Sequence, residues 1–262
     1  MKKNRLRQLL NEGKPTLGTH VISTWPGVVE VIGQTGAFDY IEYVGEYSSF
    51  SLEQMDNFGR AVELFPDMSA MMKVEEQTRG FIAARAIDSG IRNVLFTDCR
   101  SADDVRECIR YVRPETPESG GVHGYGMRRS TGYGYGGVTD WTDAMDEVVV
   151  AIMIEKKGAI DNLDDILAVK GVDMVQFGPV DYSISIGKPG QMLSPEVQEA
   201  HSYMIDKALQ KGVAPRVEIG GFEQAKPFVD MGVRHFCIGW DTSIIAGWCH
   251  KQAEGMAELL KK

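Results

Sequence analysis

The chain has 262 residues, 43% of them hydrophobic, and carries 28 Lys and Arg against 37 Asp and Glu, for a net charge of -9 and a pI near 5.1. This supplies enough apolar material for one large core, and α/β barrels commonly occupy such a length as one domain. The acidic balance argues against the basic stripe that a nucleic-acid binder needs, and no apolar run approaches membrane-spanning length.

The first ten residues are partly basic but contain no apolar run of signal-peptide length. The cysteines, Cys99, Cys108, Cys237 and Cys249, include no C-x-x-C pair. The expectation is a cytoplasmic protein with free thiols.

Short apolar runs recur along the chain, at 16–22, 38–44, 69–74, 92–97, 148–154, 172–178, 212–217 and 234–239. Helical patterns separate most of them. The first, 26–36, opens at Pro26; others cover 77–89, 102–111 after Ser101, 159–169, 195–211, and 222–231 closing near Gly232. Alternating strand and helix predicts an α/β fold, a single-domain (β/α)8 TIM barrel over 1–262. An open doubly wound sheet is the alternative. Met68, Met71 and Met72 are core candidates, and Trp240, Ile244, Ile245, Trp248 and Cys249 read as packing surface.

Two of the runs end in a carboxylate. Residues 148–154 (V-V-V-A-I-M-I) lead into Glu155, and 172–180 (V-D-M-V-Q-F-G-P-V) lead into Asp181. Runs this rich in Val and Ile read as strands buried on both faces of a parallel sheet. An ionised carboxylate beside a core needs a partner, so two at matching strand ends predict a hard divalent cation between them. The competing explanation for Glu155 is an internal ion pair with Lys73, Lys156 or Lys157.

Residues 113–147 break the alternation. They begin R-P-E-T-P-E-S-G-G and continue V-H-G-Y-G-M-R-R-S-T-G-Y-G-Y-G-G, dense in glycine with tyrosines interleaved. No G-x-x-x-x-G-K-[ST] occurs and no strand–GxGxxG–helix context frames the stretch, which disfavours a phosphate cradle. The expectation is a long loop or ordered insertion, acting as an active-site lid or a subunit contact. For His123, Tyr125, Arg128 and Arg129 the alternatives are a solvated or intersubunit role and reading the far end of an anionic substrate.

Residues 154–187 resemble the signature region of the HpcH/HpaI aldolases, whose specific element is a paired E…G-P-x-D. The likeness extends to G-K-P-T-L-G at 13–18, F-D-Y-I-E-Y-V-G-E at 38–46 and G-V-R-x-F-C-I-G-x-D-T-S at 232–243, and covers most of the chain outside the glycine-rich stretch. It implies a metal-dependent class II aldolase that cleaves a 4-hydroxy-2-oxo acid to pyruvate and an aldehyde through a metal-stabilised enolate. Glu155 and Asp181 would bind Mg2+ or Mn2+, with Co2+ a further candidate. The backbone of Gly178, Pro179 and Val180 would lie near the substrate carboxylate, and Glu46 would hold a metal-bound water. The amides of Val180 and Asp181 are the expected donors, since Pro179 has no N–H. The resemblance also implies a homo-oligomer, a trimer or hexamer, with the C-terminal helix at a subunit contact.

The chain departs from the family pattern at several positions. The usual D-G-E-H reads Val44-Gly45-Glu46-Tyr47, without the Asp-oriented His that supports proton transfer. A tyrosine of ordinary pKa is a poor base at neutral pH. Lys73 replaces the usual Arg, keeping the charge and losing the planar fork, and Met153 replaces a Gln. The expected catalytic residues are therefore Tyr47 as a donor to the leaving alkoxide, Lys73 at the keto oxygen, and His20, at the end of the first strand, as replacement base or ligand of a substrate oxygen. For His20 a barrel histidine without proton transfer is the alternative, and Glu42 is expected to pair with Lys73. Two other outcomes stay open: the same enolate site redirected to decarboxylation, hydration or hydrolysis of another acid, and a non-catalytic metabolite-binding relative.

Overall fold

The apolar runs form strands whose ends fall within two residues of the predicted bounds. In the computed structural model, which describes residues 2–261, they are β1 (Thr16–Val21), β2 (Tyr40–Val44), β3 (Ser69–Val74), β4 (Asn93–Phe96), β5 (Val149–Ile154), β6 (Met174–Phe177), β7 (Ala214–Ile219) and β8 (His235–Trp240). Each pairs in parallel with the next, and β8 closes on β1, giving a barrel rather than an open sheet.

Side-chain alternation divides the core into two layers. Val149, Ala151 and Met153 of β5 point inward with Tyr40, Met71, Leu95, Met174 and Cys237. Val150, Ile152 and Ile154 face the surrounding helices. Leu6, on α1 (Arg5–Asn11), enters the inner layer from the end where the strands begin.

The helices are α2 (Pro26–Gln34), α3 (Leu52–Glu63), α4 (Arg79–Asp88), α5 (Ala102–Val112), α6 (Val138–Asp146), α7 (Lys157–Asp161), α8 (Leu163–Leu167), α9 (Pro179–Ser185), α10 (Pro195–Lys211), α11 (Lys226–Asp230) and α12 (Asp241–Leu260). Predicted helix 159–169 is broken at Asn162 into α7 and α8, and predicted helix 222–231 is a 3-10 turn followed by α11. The unpredicted α3 opens with a reciprocal cap between Ser51 and Gln54 and buries Met55, Phe58 and Val62.

The glycine-rich stretch is ordered, and it is not a lid. It contains a 3-10 turn and α6, which buries Trp141 and Met145. Arg129 pairs with Glu63 and donates to the Ser89 carbonyl at 2.7 Å, while Arg128 lies 3.0 Å from Asp56. His123 is buried 3.5 Å from Asp88, and Tyr125 packs edge-on against Trp141. Glu63, Asp88 and Ser89 sit where α3 and α4 end and the chain returns to a strand start, opposite the catalytic mouth of such a barrel. The substrate-reading role for these four residues is thus corrected: helix carboxylates and an indole engage them on the far face.

The stretch predicted as packing surface near the C-terminus divides. Trp240 is partly buried, whereas Ile244, Ile245 and Trp248 lie exposed on α12, with Trp248 65% exposed. Among the described residues no helix is long and apolar enough to cross a membrane.

Candidate active site

A cavity of about 420 Å³ opens at the C-terminal ends of the strands. Tyr47, Lys73, Glu155, Gly178, Pro179, Val180 and Asp181 share its lining, so most of the predicted site residues converge. Glu46 reaches it only through Lys73, and His20 does not line it.

Glu155 continues the inward series Val149, Ala151, Met153 by one more alternate step, which carries its side chain into the mouth. It is 2% exposed and accepts the Asp98 backbone N–H at 2.8 Å. Burial is the largest influence on its carboxyl and pushes it up to about 7, against the Asp98 amide and the positive charges of Lys73 and Lys156. None of its three expected lysine partners forms an ion pair with it; Lys156 instead pairs with Asp98 at 2.7 Å and Asp181 at 3.2 Å. Gly178 makes room for the carboxylate, since a Cβ there would stand 2.7 Å from the Glu155 Cβ and 2.8 Å from its Oε2.

Asp181 lies in the first turn of α9, with its side chain 39% exposed. The Gly178 N–H is committed to the Ile154 carbonyl at 3.2 Å, and Pro179 has none to offer. Val180 and Asp181 therefore carry the amides of the helix start that have no intrahelical carbonyl.

Lys73 ends the inward face of β3. Its Nζ lies 2.6 Å from Glu46 Oε2 and donates to the Tyr47 hydroxyl at 3.2 Å. Burial lowers the Lys73 pKa, but Tyr47 and Glu46 outweigh it and raise it, so the ammonium stays charged. Burial pushes Tyr47 up to about 12 despite Lys73, leaving its hydroxyl a donor.

One expectation fails at the barrel centre, and a second residue, His20, lies deeper than the mouth. Glu42 pairs with Arg216, Nη2 to Oε2 2.5 Å, and not with Lys73. Arg216 is fully buried and also donates to Tyr40 and Gln176, because an inward charge at this depth must be met on several sides. His20 is 1% exposed, stacked on Trp240 at 4.8 Å, with Nδ1 3.0 Å from the Gly239 carbonyl. Its Nε2 points between Glu42 and Glu218, at 3.7 and 3.6 Å. Burial lowers its pKa, but Cys237, Glu42 and Glu218 outweigh this and raise it to about 9. His20 thus lies beneath the Trp240 indole, outside the cavity lining.

His20, Glu42 and Cys237 also bring potential ligand atoms within 4.8 Å of one another. Arg216 engages Glu42 Oε2 and the Gly239 carbonyl engages His20 Nδ1, whereas Glu42 Oε1 and His20 Nε2 have no hydrogen-bond partner among the described residues.

Glu218 and Trp240 line the cavity without having been predicted there. Trp240 Nε1 donates to Glu218 Oε1 at 2.8 Å. The available signal was the period-two spacing of Arg216 and Glu218, which places both on the inward face of one strand.

A closed parallel barrel with acidic residues gathered at its C-terminal mouth is the arrangement of a barrel enzyme. The chain belongs to the HpcH/HpaI aldolase/citrate lyase family, which matches residues 58–246. It is similar to a 4-hydroxy-2-oxo-heptane-1,7-dioate aldolase of Shigella boydii serotype 18, with 27% identity over 255 residues, covering 97% of this chain and 94% of that one. An HpcH/HpaI aldolase/citrate lyase family protein from Burkholderia cenocepacia J2315 shares the fold, with a TM-score of 0.87, 24% identity, and 99% and 100% of the two chains covered. An HpcH/HpaI aldolase from Desulfitobacterium hafniense DCB-2 gives a TM-score of 0.87 at 22% identity, over 97% and 96%.

Proposed function

We propose that this protein is a metal-dependent carbon–carbon lyase that cleaves a 4-hydroxy-2-oxo acid to pyruvate and an aldehyde. The observation that carries this reading is the pairing of a buried carboxylate lacking an ion-pair partner, Glu155, with Asp181 in one strand-end cavity. Kinship with an aldolase over nearly the whole chain supports it.

The residues present fit a hard divalent cation such as Mg2+ or Mn2+. Two carboxylates supply oxygen donors, Gly178 leaves space beside Glu155, and the uncompensated buried charge is what a cation would neutralise. When bound, the cation would polarise the keto group and stabilise negative charge developing beside it. The amides of Val180 and Asp181 would donate to the substrate carboxylate, and Lys73, held by Glu46, would place positive charge near the keto oxygen. Tyr47 would donate a hydrogen bond to the departing oxygen, in keeping with its raised pKa. The exposed apolar residues of α12, Ile244, Ile245 and Trp248, support assembly into a homo-oligomer through this helix.

The test is solvent deuterium exchange into the pyruvate methyl group, followed by NMR, for metal-free, Mg2+-loaded and Mn2+-loaded protein. Metal-dependent exchange that is abolished by Glu155→Gln is expected. Pyruvate binding without exchange under any metal would remove the aldolase reading in favour of a binding role.

A further inference from the structure

Proton transfer at the C4 oxygen needs a group that the family-type His would have supplied, and the cavity offers a short set of candidates. Beyond Glu155 and Asp181, its titratable lining among the described residues is Tyr47, Lys73, His201 and Glu218. Tyr47 and Lys73 retain their protons at neutral pH, as described above. His201 is stacked on Phe177 at 4.7 Å, and burial pushes it down to about 4, which makes it a weak base.

Glu218 remains. It is the penultimate residue of β7, on the same inward face as Arg216, and its side chain is 32% exposed. Oε1 accepts from Trp240 Nε1 at 2.8 Å, and Oε2 accepts from Gln176 Nε2 at 3.1 Å with His20 Nε2 at 3.6 Å behind it. These partners fix the carboxylate, yet each oxygen has a second lone pair free to take a proton.

We propose that Glu218 is the catalytic acid–base residue, taking over the proton transfer at the substrate's C4 oxygen; this rests on the aldolase reading. In cleavage its carboxylate removes the C4 hydroxyl proton, the C–O bond becomes the aldehyde carbonyl, and the C3–C4 electron pair passes into the pyruvate enolate. C3 then takes a proton from water to give pyruvate, and Glu218 releases its proton to solvent. In the condensation direction Glu218 returns the proton to the nascent alkoxide. Trp240 and Gln176 hold the carboxylate toward the cavity.

The test compares cleavage of a panel of 4-hydroxy-2-oxo acids by wild type, Glu218→Gln and Glu218→Ala, with Mn2+ present and folding checked by circular dichroism. For Glu218→Gln kcat should fall about 100-fold or more, the usual scale of general acid–base catalysis, while KM changes little. Added formate should restore activity to Glu218→Ala and leave wild type unaffected. Near wild-type kcat in Glu218→Gln, or an inactive Glu218→Ala that formate does not rescue, would overturn the role of Glu218. Pyruvate deuteration by wild type separates the two ideas: exchange with either result removes only Glu218, whereas no exchange removes the aldolase reading and this inference with it.

Discussion

The backbone N–H of Asp98 donates to Glu155 Oε1 at 2.8 Å from a residue held at φ 58°, a left-handed conformation that Asp tolerates better than most residues. This turn orients the carboxylate without neutralising it. With its carboxyl raised to about 7, Glu155 contributes stability that is present below the ordinary carboxylate range and lost as pH rises through about 7. The metal-free protein at pH 8 therefore carries a cost of about 3 kcal/mol at this position. Glu155→Gln, which can still accept the Asp98 amide, should melt several degrees above wild type at pH 8 without metal. Mn2+ should raise the melting temperature of wild type and not of the variant; calorimetry with and without Mn2+ checks both.

Gly178 has φ -105°, so alanine is compatible with its backbone and any effect there is steric. A methyl group would press on the Glu155 carboxylate and on Met153 Cε. Gly178→Ala should keep the fold and weaken Mn2+ binding about 10-fold or more, measured by water-proton relaxation. Unchanged affinity would mean that metal binding does not depend on this carboxylate position.

His20 predicts a pH signature in stability. Its folded pKa lies near 9 against an ordinary 6.5, so its contribution is complete below pH 6.5 and fades as pH rises through about 9. Its size is about 3 kcal/mol. Urea unfolding at pH 6, 7.5 and 9 should show this alkaline loss in wild type and a flatter dependence in His20→Gln. Parallel curves for the two proteins would argue that His20 is neutral in the folded state.

Arg129 tests the placement of the glycine-rich stretch. Arg129→Ala leaves the Glu63 carboxylate and the Ser89 carbonyl without their partner, at a cost of about 1–3 kcal/mol. Because the contact lies on the face opposite the mouth, kcat and KM should not change. A large rise in KM would restore the lid.

The barrel was legible because every strand is a compact apolar run, and Glu155 and Asp181 stood out because a carboxylate ending such a run conflicts with its surroundings. The family resemblance added the expectation that these two bind a metal and that their neighbours bind substrate. The sequence was silent where partners are distant: Glu42 meets Arg216 across 174 residues, and nothing local to either names the other. The same distance hid Glu218, whose partners Gln176, Trp240 and His20 come from three other strands. The glycine-rich stretch misled for another reason. Its composition signals conformational freedom, but its arginines and His123 reach helix carboxylates that fix it in place.

The charged centre of the barrel limits how sequences of this kind can diverge. Arg216 and Glu42 are both inaccessible to solvent, and Tyr40 and Gln176 are oriented by the same guanidinium. Losing one charge strands the other, at about 3–5 kcal/mol, whereas exchanging both for apolar residues of matching volume is close to neutral. Drift at these positions is therefore expected to be paired, with β2 and β7 changing together. A descendant in which only one of the two has changed would have to recover that stability elsewhere before tolerating further change at its catalytic mouth.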